Sequence, residues 1–109
     1  MIHMFNRRAL LVAALLAIGT PAFASAEEAQ VKIDNFAFTP DVIQVKVGTA
    51  VTFVNHDDIP HSVVGTNGSF HSKALDTDQS YSFTPTTPGE VAYFCGLHPH
   101  MKGKIVVVP

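Results

Sequence analysis

The 109-residue chain carries seven basic and nine acidic side chains, for a formal charge of −2, and its single cysteine rules out a disulfide within the chain. Both arginines lie in the first eight residues, so the remainder is mildly acidic, which argues against nucleic acid or an anionic lipid surface as the partner. The acidic side chains are too dispersed to identify a protein partner.

The first stretch reads as a leader. Arg7 and Arg8 precede the apolar run Ala9 to Ile18, Gly19-Thr20-Pro21 breaks it, and Ala22-Phe23-Ala24-Ser25-Ala26 supplies small residues for cleavage after Ala26 or Ala24. The run falls short of the roughly 20 residues a spanning helix needs, so no stable membrane insertion is expected once the leader is removed. Arg7-Arg8-Ala9-Leu10-Leu11 is a weak twin-arginine match, which leaves Sec and Tat export both open. The expected organisation is a cleavable signal peptide over 1–26 and one periplasmic domain over 27–109. Without the first 26 residues, 83 remain with formal charge −4, enough for one modest core helped by a metal. An unpaired cysteine in an oxidising compartment has to be buried, dimerised or metal-bound.

Beyond the leader a two-residue period dominates. Val31 and Ile33 start it, with Phe36 and Phe38 as its continuation, and Ile43, Val45 and Val47 alternate with Gln44 and Lys46 before Gly48 turns the chain. Val51 and Phe53 resume, Tyr81 and Phe83 alternate with serines, and Val91, Tyr93 and Cys95 share one side of a further run. Ile105 to Val108 is continuously apolar and β-branched, as in a strand buried on both faces. Glycines and prolines punctuate these runs at short intervals, which predicts an all-β sandwich or barrel. Ser69 to Asp76 reads as loop or a single helical turn. The aromatic residues Phe36, Phe38, Phe53, Phe83, Tyr93 and Phe94 are assigned to the core.

Between two of these strands lies Cys95-Gly96-Leu97-His98-Pro99-His100-Met101, with a thiolate, an imidazole and a thioether at C-x2-H-x2-M spacing. His61, 34 positions upstream in Asp57-Asp58-Ile59-Pro60-His61-Ser62, is the fourth candidate, offered from a neighbouring strand end. Soft sulfur donors exclude calcium and magnesium, methionine is a poor ligand for structural zinc, and haem attachment would need a second cysteine. Two histidines, one cysteine and a weak axial methionine form the ligand set of a blue-copper site. His98 is preferred to His100 as the loop ligand because it lies nearer Cys95. His56, His71 and His100 are read as surface histidines, and Asp57 and Asp58 as a solvated loop.

These residues carry a family resemblance. Tyr93 to Gly103 resembles the copper loop of the cupredoxins, and its short Cys-to-Met spacing is most similar to the amicyanin type, less so to the longer loops of plastocyanin and azurin. Phe38-Thr39-Pro40, Ile43 to Thr49, Val51 to Asn55 and Asp58 to His61 continue the likeness in family order. The resemblance implies a Greek-key β-sandwich with one type 1 copper at one end, cycling between Cu(I) and Cu(II), and electron transfer through the exposed edge of His98. One departure is Ser62, standing where the family often has asparagine. The other is His100, a spare imidazole beside the site.

The function expected from this sequence is an exported, monomeric blue copper protein that carries single electrons between redox proteins and is not an enzyme. Docking is expected to be transient and to use Pro60, Leu97 and Pro99 around His98. The alternative is a periplasmic copper chaperone or storage module, which would hand over the ion itself.

Overall fold

A computed structural model describes residues 28–109, so the leader assigned to 1–26 and its cleavage lie outside the described residues. Eight strands follow in order: β1 (Glu28–Asp34), β2 (Ala37–Thr39), β3 (Val42–Lys46), β4 (Ala50–Asn55), β5 (Val64–Gly65), β6 (Ser80–Phe83), β7 (Gly89–Phe94) and β8 (Lys102–Val108). They form two four-stranded sheets, ordered β2-β1-β4-β6 and β3-β8-β7-β5. From β2 to β7 each successive strand changes sheet. β1 runs parallel to β4 and β3 parallel to β8, while the remaining pairs are antiparallel. Of the sandwich and the barrel that the alternating pattern predicts, the all-β sandwich, which the family resemblance also implies, is the observed architecture.

Alternation explains the packing. In β4, Val51, Phe53 and Asn55 are buried while the residues between them are only half covered. Val31 and Ile33 of β1 and Phe38 of β2 join them from one sheet, and Val45, Tyr93, Ile105 and Val107 face them from the other. Edge-to-face aromatic contacts run across the interior, with Phe38 and Tyr93 centroids 4.8 Å apart and Phe53 and Tyr93 5.1 Å apart. Such pairs add about 0.5–1.5 kcal/mol to the burial of the rings themselves. Gly48 closes the β3–β4 turn at φ +91°, a conformation that a side chain would oppose.

Three expectations about burial are corrected, and of the two readings of Ser69 to Asp76 the loop is the one observed. Phe36 is not in a strand or in the core: Asn35 and Phe36 form a two-residue turn between β1 and β2, and Phe36 is 46% exposed. Ile105 to Val108 is not buried on both faces. Ile105 and Val107 point inward and Val106 and Val108 are half covered, because β8 is a central strand whose outer face has no second layer over it. Phe83 and Phe94 are likewise only partly buried. The segment Ser69 to Asp76 contains no helical turn and is held by two isolated bridges, His61 with Leu75 and Val64 with His71.

Candidate metal centre

At one end of the sandwich the connections after β4 and β7 meet. Cys95 follows β7 directly and is completely buried. Its backbone N–H donates to Met101 O at 3.0 Å, His98 N donates to Cys95 O at 3.2 Å, and Met101 N donates to His98 O at 2.9 Å. These bonds wind the seven residues into a compact loop that brings Cys95 and His98 together and ends on the buried Met101. His61 is fixed from the other side, donating its N–H to Leu75 O at 3.1 Å and accepting from Leu75 N at 2.6 Å.

The Cys95 Sγ lies 3.7 Å from Nδ1 of His61 and 3.7 Å from Nδ1 of His98, and the ligating atoms of all three residues fall within 4.8 Å of one another. The centre of such a triangle is about 2.1–2.4 Å from each atom, close to ordinary metal–imidazole and metal–thiolate bond lengths of about 2.0–2.3 Å. The donors therefore fit a soft or borderline transition metal. Their identity, one thiolate and two imidazoles with a buried thioether at the loop's end, suits copper. His100 is exposed and stands apart, its ring centroid 6.4 Å from that of His98.

Neighbouring residues hold the donors in place. Ser62 N–H donates to Cys95 Sγ at 3.3 Å, and the Ser62 hydroxyl accepts from Gly96 N at 2.9 Å. Serine thus ties the two donor-bearing segments together despite its short side chain. It can do so because residue 96 is glycine: a Cβ there would stand 2.7 Å from Ser62 Oγ and 3.2 Å from Val64 Cγ2.

Asp57 is not the solvated carboxylate expected from the sequence. Its Oδ2 accepts from His61 Nε2 at 2.8 Å and from Phe36 N at 3.1 Å. Burial works to raise its carboxyl pKa, but the hydrogen bonds from Phe36, His61 and Asn35 outweigh that and hold it below the ordinary value. The bond to Nε2 leaves Nδ1 as the nitrogen facing Cys95, and a carboxylate on the far nitrogen makes an imidazole a stronger donor. Asn55, fully buried, organises this loop: its amide donates to Ile59 O at 2.9 Å and Leu75 O at 2.8 Å, and its oxygen accepts from Asp57 N at 2.8 Å. The available sequence signals were the four-residue spacing of Asp57 and His61 and the turn-forming Asn55-x-Asp57.

An antiparallel-dominated sandwich with a buried cysteine sulfur and two converging imidazoles at one end defines a class of small β metalloprotein. The chain belongs to the cupredoxin family: the cupredoxin-like domain model matches residues 7–107. It is 36% identical over 89 residues to amicyanin-alpha of Methylorubrum extorquens, covering 77% of this chain and 75% of that one. It is 37% identical over 94 residues to amicyanin of Paracoccus denitrificans, covering 78% and 72%. A solved Cu(I) form of an amicyanin variant superposes with a TM-score of 0.71 at 31% identity, covering 77% of this chain and 85% of that one. A purple cupredoxin from Nitrosopumilus maritimus gives 0.69 at 29% identity, covering 72% and 98%.

Proposed function

We propose that this protein is an exported, periplasmic, monomeric carrier of single electrons that would hold one copper through His61, Cys95, His98 and, as a weaker fourth donor, Met101. The observation that carries the reading is the 3.7 Å approach of both Nδ1 atoms to the buried Cys95 Sγ. Copper supplies a one-electron Cu(II)/Cu(I) couple when bound. The chain's part is to keep the donors still between two oxidation states with different preferences. His61 is fixed by Leu75 and Asp57, the thiolate receives the Ser62 N–H, and Cys95 to Met101 is closed on itself by backbone bonds. Small rearrangement means a small barrier to electron transfer.

His98 is half-buried and flanked in the chain by exposed Leu97 and Pro99, so an electron can leave through its edge toward a transiently docked redox protein. Membership of the cupredoxin family and likeness to amicyanins support a carrier in preference to an enzyme. Loading the protein with Cu(II) tests the reading. An intense blue absorption with a narrow copper hyperfine splitting is expected, and a colourless complex with an ordinary tetragonal signal would refute it. Rapid reversible redox with slow copper exchange separates the carrier from a chaperone.

A further inference from the structure

Phe36 occupies a position its residue type opposes. The β1–β2 connection is a two-residue turn with φ of +54° at Asn35 and +59° at Phe36. Turns of this kind favour asparagine followed by glycine, and a bulky side chain at positive φ is unfavourable. Burial does not account for the choice, since Phe36 is 46% exposed. Such outliers persist where the surroundings enforce them and tend to mark functional positions.

The surroundings here are the two imidazoles. The Phe36 ring lies edge-on to His61, with centroids 5.7 Å apart at 86°, and edge-on to His98, 5.2 Å apart at 87°. Both fall in the range of favourable edge-to-face pairs. The turn is pinned by the Phe36 N–H on Asp57 Oδ2, the same oxygen that accepts from His61. His61 has further restraints on its backbone and on Nε2, and its ring is fully buried. Among the described residues the His98 side chain has a polar contact only to Cys95, at 3.7 Å, and its other ring neighbours are His61, 4.9 Å away at 57°, and the exposed His100. The constraint from Phe36 therefore matters most at His98.

We infer that Phe36 is a positioning residue whose ring fixes the His98 imidazole with Nδ1 toward Cys95. This rests on the reading of His98 as a donor to copper, but its effect on ring order exists before any metal is bound. In the metal-free protein, Phe36→Gly suits the turn and frees the His98 ring. Phe36→Tyr retains an edge-on aromatic ring, whereas Phe36→Leu keeps apolar bulk without one.

The experiment is imidazole relaxation measured by NMR on the full metal-free protein and these three variants, with the His61 ring as internal reference. The expected result is a clear loss of order at His98 in Phe36→Gly, a partial loss in Phe36→Leu, restoration in Phe36→Tyr and an unchanged His61. In copper-loaded protein, electron self-exchange should fall about tenfold in Phe36→Gly, equivalent to about 1.4 kcal/mol on the barrier, and recover in Phe36→Tyr. An unchanged His98 ring in Phe36→Gly overturns the proposal. Equal loss of order at both rings also overturns it, since Phe36 would then support the whole loop. Failure to form a blue site would refute copper binding without altering the ring-order result.

Discussion

Asp57 Oδ2 lies 2.8 Å from Nε2 of His61, the ring nitrogen other than the one facing Cys95. A buried imidazole is thereby backed by a carboxylate, which fixes its orientation and strengthens its donor nitrogen. Asp57→Asn keeps the shape and removes the charge. The expected outcome is a loss of about 10–100-fold in copper affinity, the usual effect of removing such a partner. The reduction potential should rise as well, because a weaker donor favours Cu(I). Competition titration and voltammetry measure the two effects, and an unchanged affinity would remove Asp57 from the site.

The Ser62–Gly96 contact predicts a non-additive pair. Gly96→Ala places a methyl 2.7 Å from Ser62 Oγ and should cost about 1–3 kcal/mol through overpacking. Ser62→Ala removes one hydrogen bond and should cost about 1 kcal/mol. The double variant should be less destabilised than the sum, because the atom that the new methyl strikes is gone. Denaturant melts of the four metal-free proteins complete the cycle. Strict additivity would show that the two residues act independently.

Tyr93 buries its hydroxyl without a protein partner among the described residues. Tyr93→Phe should therefore hold or raise stability, by up to about 1 kcal/mol, since no hydrogen bond is lost. Burial first, and the Asp41 charge second, push the phenol pKa up from its ordinary value of 10.0. The neutral form is favoured in the fold, so this contribution is complete below pH 10 and is lost as pH rises above it, where the unfolded chain ionises. Tyr93→Phe should flatten that alkaline decline. Thermal melts between neutral pH and pH 11 would show it, and parallel curves for the two proteins would contradict it.

Gly103 faces the same ring. A Cβ at this position would collide with the Tyr93 ring and hydroxyl. Gly103→Ala should cost about 2–3 kcal/mol, at the upper end of overpacking penalties. A shorter side chain at position 93 should relieve much of it. Thermal unfolding of Gly103→Ala alone and combined with Tyr93→Leu separates this collision from a general loss of backbone freedom.

Removing the metal should lower the melting temperature by an amount set by free copper concentration, as expected for a ligand bound only by the folded state. His61 follows β4 of one sheet and Cys95 follows β7 of the other, so an ion held by the proposed donors would join both halves of the sandwich. Calorimetry at graded free copper measures the shift. A melting temperature independent of copper would show that the donors do not converge on it.

Much of this was legible beforehand because strands and donors follow short-range rules. Alternation placed Val51, Phe53, Tyr93 and Cys95 on inward faces, and seven contiguous residues held three of the four candidate donors. Phe36 was misread because it continues the alternation with Phe38 across a turn, where period alone cannot distinguish a strand from a hairpin. Asp57 was missed because its partner is chosen by the loop that Asn55 ties, a long-range arrangement with no periodic trace. Ser62 became interpretable only with Gly96 in view, since the reach of a hydroxyl depends on what the opposing position lacks.

The bond from Cys95 N to Met101 O has a wider consequence. It joins the ends of the loop where β7 and β8 are already paired, with Phe94 opposite Lys102. The strands act as a socket and the intervening residues as an insert. Apart from the glycine required at 96 by Ser62 and Val64, the stretch Gly96 to His100 can be lengthened, shortened or exchanged with little demand on the sandwich beneath. Architecture and chemistry are then separately heritable, and a change confined to five positions can retune the centre while the rest of the chain keeps its shape.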